Sequence, residues 1–197
     1  MSALLRVMAV VLLSVGADTA VAHSPIEGID GFYGGLLHPI LVPAHALGIL
    51  ALGLFIGQQD SRHRRGAAAM FALALVLGLG AIVLAVGQTP AGEILLAAAA
   101  ALGALVAIAR PLPRPVGWLA AAVTGAAIGL DSPPQVISMA LATVTLIGTG
   151  LGACIALAIV VGVAACLRRH WQLLGVRILG SWIAASAVLA LAVRWAR

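Results

Sequence analysis

From residue 37 onward the chain is a series of long apolar runs, rich in Ala, Leu and Gly, separated by short loops that hold most of its charge. A helix that crosses a bilayer needs about 20 such residues in a row. Six crossings are read here, at 37–57, 66–87, 92–109, 116–130, 136–166 and 173–194. Barrel strands would instead alternate apolar and polar residues over segments of roughly 10. The fourth run is short. The fifth exceeds a simple crossing and is expected to tilt, kink or extend past the membrane. Composition excludes the soluble alternative: 9% of residues are charged and 63% are hydrophobic, against about 25% charged in a soluble domain. With lipid as solvent, only helices or closed barrels satisfy the backbone. The fold class expected is an all-α, polytopic membrane helix bundle with six transmembrane helices.

The first residues read as a processing segment. Arg6, the apolar stretch Val7 to Val15, and Ala20-Val21-Ala22 have the order of a cleavable signal peptide. Asp18 argues against an uncleaved first helix, because it would lie in hydrocarbon. Cleavage after Ala22 makes His23 the mature N-terminus and leaves residues 23–197 as a single membrane domain.

The formal charge of +5 does not indicate nucleic acid. All eleven basic residues are Arg, and their placement is a topology signal. Arg62, Arg64, Arg65, Arg110, Arg114, Arg168 and Arg169 fall in alternate loops, with Asp60 the one acid among them. The other side holds Glu27, Asp30, Glu93 and Asp131, with basic residues only at Arg194 and Arg197. By the positive-inside rule the arginine side is cytoplasmic, and both mature termini face outward. The compartment implied is a bacterial inner membrane. Cys154 and Cys166 lie in one apolar run without a shared helix face, and read as small buried hydrophobes rather than a disulfide. Gly53/Gly57 and Gly148/Gly152 have the spacing that lets helices approach closely.

Few residues can carry chemistry. His63 and His170 sit beside Arg in basic loops and read as solvated. His38 and His45 are seven residues apart, nearly two helical turns, and share one face of the first span. A straight helix would hold their backbones roughly 10 Å apart, too far for one small ion. Pro39 suits a first helical turn. Pro43, between the two histidines, should break or kink the helix, swing His45 toward His38, or free a carbonyl. Imidazole suits nickel, cobalt, copper or zinc. His23 as mature first residue would offer an α-amine and an imidazole together. Asp131, before Ser132-Pro133-Pro134, is either a turn residue or a further ligand, and Glu93 reads as a first-turn helix acid.

The run Gly34-Gly35-Leu36-Leu37-His38-Pro39-Ile40-Leu41-Val42-Pro43-Ala44-His45 resembles the first-helix signature of the HupE/UreJ family. In that family a His-Pro pair is followed by an Asp-His pair after a cleaved signal peptide. Gly125 to Pro133 resembles the family's fourth-span segment, and Gly175 to Ala184 its last span. The resemblance implies a small six-span inner-membrane protein associated with nickel, sometimes cobalt, uptake for hydrogenase and urease. It carries over His38, His45 and Asp131, and a mature start at His23. Two departures stand out. Ala44 replaces the family's Asp, and residues such as Thr124 and Ile128 replace histidines of the fourth span.

These readings give a secondary permease for a divalent transition metal, nickel or cobalt. Capture would be by His23, Glu27 or Asp30, and passage between His38 and His45 with Asp131 nearby. No prosthetic group is expected. The alternative is a non-transporting membrane partner for assembly or anchoring of a metalloenzyme, which Ala44 favours. An intramembrane enzyme is not expected, because no serine–histidine or paired-carboxylate constellation lies within the spans.

Overall fold

The computed structural model describes residues 31–84, 90–109, 112–134 and 138–196. The expected signal peptide lies outside the described residues. Seven helices and no strands make up what is described: α1 Gly31–Leu41, α2 Pro43–Gly57, α3 Ser61–Val83, α4 Ala91–Ile108, α5 Arg114–Leu130, α6 Met139–Cys166 and α7 His170–Trp195. Four of them, α3, α4, α6 and α7, are each long and apolar enough to cross a membrane, and α1 with α2 forms a fifth candidate bent by 66°. Helix α5 is apolar but has only 17 residues.

Local chemistry sets the ends. Asp60 starts α3: its Oδ1 accepts from the backbone N–H groups of Arg62 and His63, both at 2.9 Å. That cap draws Arg62, Arg64 and Arg65 into the helix rather than the loop expected for them. Gln172 does the same for α7, accepting from the Arg169 backbone at 3.0 Å. Proline stands at the start of α2, and again within the first turn of α5, where its missing N–H costs nothing. Helix α6 is one unbroken helix of 28 residues. At about 1.5 Å per residue it runs roughly 42 Å, well beyond the hydrocarbon core of about 30 Å.

Helix α2 is the axle of the bundle. Eleven of its fifteen residues are buried, and each of the other six helices touches it. Around it the helices pair, α1 with α6, α3 with α5, and α4 with α7. Lipid tails are as apolar as leucine, so burying leucine drives little association here, and close backbone packing takes over. Glycine supplies it in each pair. A side chain on Gly35, Gly148 or Gly152 would strike the backbone of the facing helix between α1 and α6. Gly78, Gly125 and Gly129 do the same between α3 and α5, as do Gly103 and Gly180 between α4 and α7. The expected packing pairs both occur, Gly53/Gly57 lying against Val160 and Ala164 of α6. Gly34 and Gly35 belong to α1 itself.

The outer surface is apolar. Ile147, Leu151, Ile155, Ile159 and Val163 form an exposed stripe along α6 at a spacing of four. No water-facing helix keeps such a stripe, and lipid is the solvent that fits it. Exposed Trp171 and Trp195 sit near the two ends of α7, about 36 Å apart along a straight helix, as interfacial tryptophans would. The chain is a helical membrane protein. Cys154 is half-buried and Cys166 is exposed at the end of α6, so the burial expected for both holds only in part.

Candidate functional site at the helix break

The break between α1 and α2 places the histidines. Pro43 has no N–H to give to α1, and it keeps Val42 extended at φ −82° and ψ 115°. Pro39 is not in a first turn as expected, because α1 begins at Gly31 and the proline lies inside its last turns. His38 closes α1 and His45 opens α2. Across the bend their ring centroids are 5.1 Å apart at 74°. The kink has brought together what a straight helix would separate.

Asp131 joins them from α5. Ser132-Pro133-Pro134 cannot continue that helix, and Asp131 caps its end with its own N–H on Ala127 O at 2.9 Å. The buried Ser132 hydroxyl donates to Ile128 O at 2.6 Å. Asp131 Oδ2 accepts from His45 Nε2 at 3.1 Å. A carboxylate only accepts, so Nε2 carries the donated proton, and in the neutral ring Nδ1 is the nitrogen with a lone pair to give. His45 is 0% exposed and Asp131 29% exposed, so this bond runs from the interior to the mouth of the bundle. His45 Nδ1 and His38 Nε2 are buried and without hydrogen-bond partners. Buried polar atoms left unpaired are uncommon and point to a missing partner.

Around this trio the surroundings are sparse. Ala44 is buried in the first turn of α2 and supplies no carboxylate. Thr124 and Ile128 are both fully buried, and the Thr124 hydroxyl turns to its own helix at Ala120 O, 2.8 Å. Among the described residues no three His, Cys, Asp or Glu side chains close around one point. The arrangement is thus open: two imidazole nitrogens and a carboxylate that orients one of the rings. His23, Glu27 and Asp30 lie outside the described residues.

Two features escaped the sequence reading. The first is the meeting of α4, α5 and α7 at this mouth. Glu93, in the first turn of α4 as expected, accepts from Trp195 Nε1 at 3.2 Å. Neighbouring Gly92 lies between the Asp131 carboxylate and the Arg194 guanidinium. The second is His63. It is 1% exposed rather than solvated, because Asp60 turns it into α3 and against Gly117 and Phe55, its ring 6.5 Å from that of Phe55. An Asp three residues before a His, with no proline between, is the cap spacing that could have revealed it. His170 is exposed as expected. The arginine end of the bundle also holds the Arg114–Asp60 pair at 3.6 Å and Arg177 Nε donating to Ala107 O at 2.8 Å.

No curated protein and no solved structure matches the chain. One family model, described as HupE / UreJ protein, matches residues 10–190. That range takes in the broken first helix with His38 and His45, the Asp131 cap and the glycine-packed pairs of helices, and the chain belongs to the HupE/UreJ family.

Proposed function

We propose that this protein is a permease that carries a divalent transition-metal ion, nickel or cobalt, across the bacterial inner membrane. The single observation behind the reading is the pair of buried, unpartnered nitrogens, His38 Nε2 and His45 Nδ1, on rings 5.1 Å apart. Metal–nitrogen bonds of about 2.0–2.1 Å, with the ring centre about 1.1 Å further on, put two imidazoles bound to one ion at an angle of about 90–110° roughly 4.4–5.2 Å apart, centre to centre. The measured spacing falls in that range. Asp131 plays the part of the carboxylate that fixes a ligating histidine's tautomer and ring orientation. Imidazole selects nickel and cobalt over magnesium or calcium. An open, two-nitrogen site also suits cargo, which must bind well enough to enter and weakly enough to leave. The family is associated with nickel and cobalt transport or with urease and hydrogenase maturation.

The remaining parts of the reading follow from the sequence. A signal peptide ending at Ala22 delivers His23, Glu27 and Asp30 to the outer face, where they collect the ion. Six spans place the site at that face and the arginine loops in the cytoplasm. No prosthetic group and no bond-making chemistry are involved.

Reconstitution in liposomes tests the reading. Nickel and cobalt should enter with the wild type and fail to enter with His38→Ala and His45→Ala. A folded wild type that moves neither metal sinks it. One observation would then favour a second reading, a membrane partner that helps assemble a metalloenzyme. From Ala46 to Gly57, α2 offers an ion no polar side chain, and Ala44 withholds the family's carboxylate.

A further inference from the structure

Arg194 is out of place. The other described arginines gather at the end of the bundle that holds Asp60 and Arg114, or at the Arg177–Ala107 contact near it. Arg194 stands instead in the last turn of α7, at the end that holds Glu93, Asp131 and the two histidines. Its position is fixed by its neighbour: the Trp195–Glu93 hydrogen bond ties the end of α7 to the first turn of α4. Between them lies Gly92. A methyl group built on Gly92 would meet an Arg194 guanidinium nitrogen first, and Asp131 Oδ1 and Oδ2 at 3.0 and 3.2 Å. The two charges share one small gap, no more than about 6 Å apart by that geometry, and glycine is the residue that leaves the gap open. They do not form an ion pair within 4 Å. The guanidinium is close enough to offset the carboxylate and free enough to leave it.

We infer that Arg194 is the resident counter-ion of Asp131, and that it sets the metal specificity of the His38–His45–Asp131 site by yielding only to cations that imidazole also binds. The inference rests on the metal-permease reading above. Without cargo the site contains one partly buried carboxylate beside an imidazole, and the guanidinium places a positive charge near it. An arriving cation must displace that charge or tolerate it. Magnesium and calcium bind oxygen and gain little from the histidines, so for them the exchange is a loss. Nickel and cobalt gain bonds to His38 and His45 that a guanidinium cannot make, and they win the exchange. Specificity of this kind comes from a repulsive element as much as from an attractive one.

The test is nickel binding to the purified full chain by calorimetry, with and without millimolar magnesium. The proteins compared are wild type, Arg194→Gln, Arg194→Lys, Asp131→Asn, and Asp131→Asn combined with Arg194→Gln. Removing a nearby unit charge in a partly solvated site should tighten nickel about three- to tenfold in Arg194→Gln. Magnesium should compete with nickel in that variant and not in the wild type. Arg194→Lys keeps the charge and should behave as wild type. In the Asp131→Asn background the arginine change should bring no further gain, because its target is gone. Equal nickel affinity and equal magnesium resistance in wild type and Arg194→Gln overturns the counter-ion role and leaves the metal reading standing. A gain that persists without Asp131 also overturns it, showing diffuse repulsion instead. Nickel binding to none of the proteins overturns both.

Discussion

At the scale of single residues the site turns on which atoms lack partners. Asp131→Asn keeps the size of the side chain and removes the charge that holds the proton on His45 Nε2. It should weaken nickel binding by about 10–100-fold, the usual effect of losing the carboxylate behind a ligating histidine, with thermal stability nearly unchanged. Isothermal titration of the variant checks this. Asp60 gives a pH-dependent effect at the opposite end. The His63 backbone N–H, first among several causes, holds its carboxyl below the ordinary value of 3.8. A carboxyl lowered by folding stabilises the fold at any pH above the ordinary value, and this is lost as pH falls through the lower folded value. Asp60→Ala should therefore reduce the melting temperature at neutral pH and flatten its decline on acidification. His38, His45 and Asp131 were legible as candidates because charged and imidazole groups are rare in apolar runs and conspicuous there. The side of the membrane that holds Arg194 was legible, but its approach to Asp131 and the burial of His63 were not. Each depends on a contact between distant helices, Arg194 across Gly92 and His63 against Gly117, which no local pattern encodes.

Among elements, the broken helix α1–α2 determines whether there is a site at all. The break was legible, since Pro43 removes a hydrogen bond and restricts Val42 in any context. The position of α1 was less so. Its helix starts before Gly34 and holds Pro39 near its end, because Gly35 packs on α6 and tertiary contact outweighs the preference of proline for a first turn. Pro43→Ala restores an N–H and lets the two helices straighten, drawing His45 away from His38. Nickel binding should weaken while helix content by circular dichroism stays the same. Gly148→Leu acts differently. Its side chain would collide with the Phe32 carbonyl, and overpacking of this kind costs about 1–3 kcal/mol or more. The variant should lose thermal stability in detergent, and a variant as stable as wild type would show that α1 does not pack on α6 this closely.

For the whole molecule, the membrane class was legible from run length and scarcity of charge, and these dominate because lipid leaves the backbone few choices. The meeting of every helix on α2 was not legible, since an apolar run reads the same whether it faces lipid or protein. Reporter fusions after residue 59 or 110 should read as cytoplasmic and those after residue 89 or 197 as external, and a reversed pattern would move the histidine site to the inner face. The His45–Asp131 bond joins residues 86 positions apart, and that separation has a consequence for biogenesis. His45 enters the bilayer long before its partner has been synthesised. At about 5–20 residues per second the ribosome needs several seconds to cover the gap. During that interval the most buried helix of the finished protein is surrounded by lipid, its imidazole without the Asp131 carboxylate. Assembly of this bundle must include the late arrival of Asp131 at a histidine that has been waiting for it, with α6 and α7 still to follow.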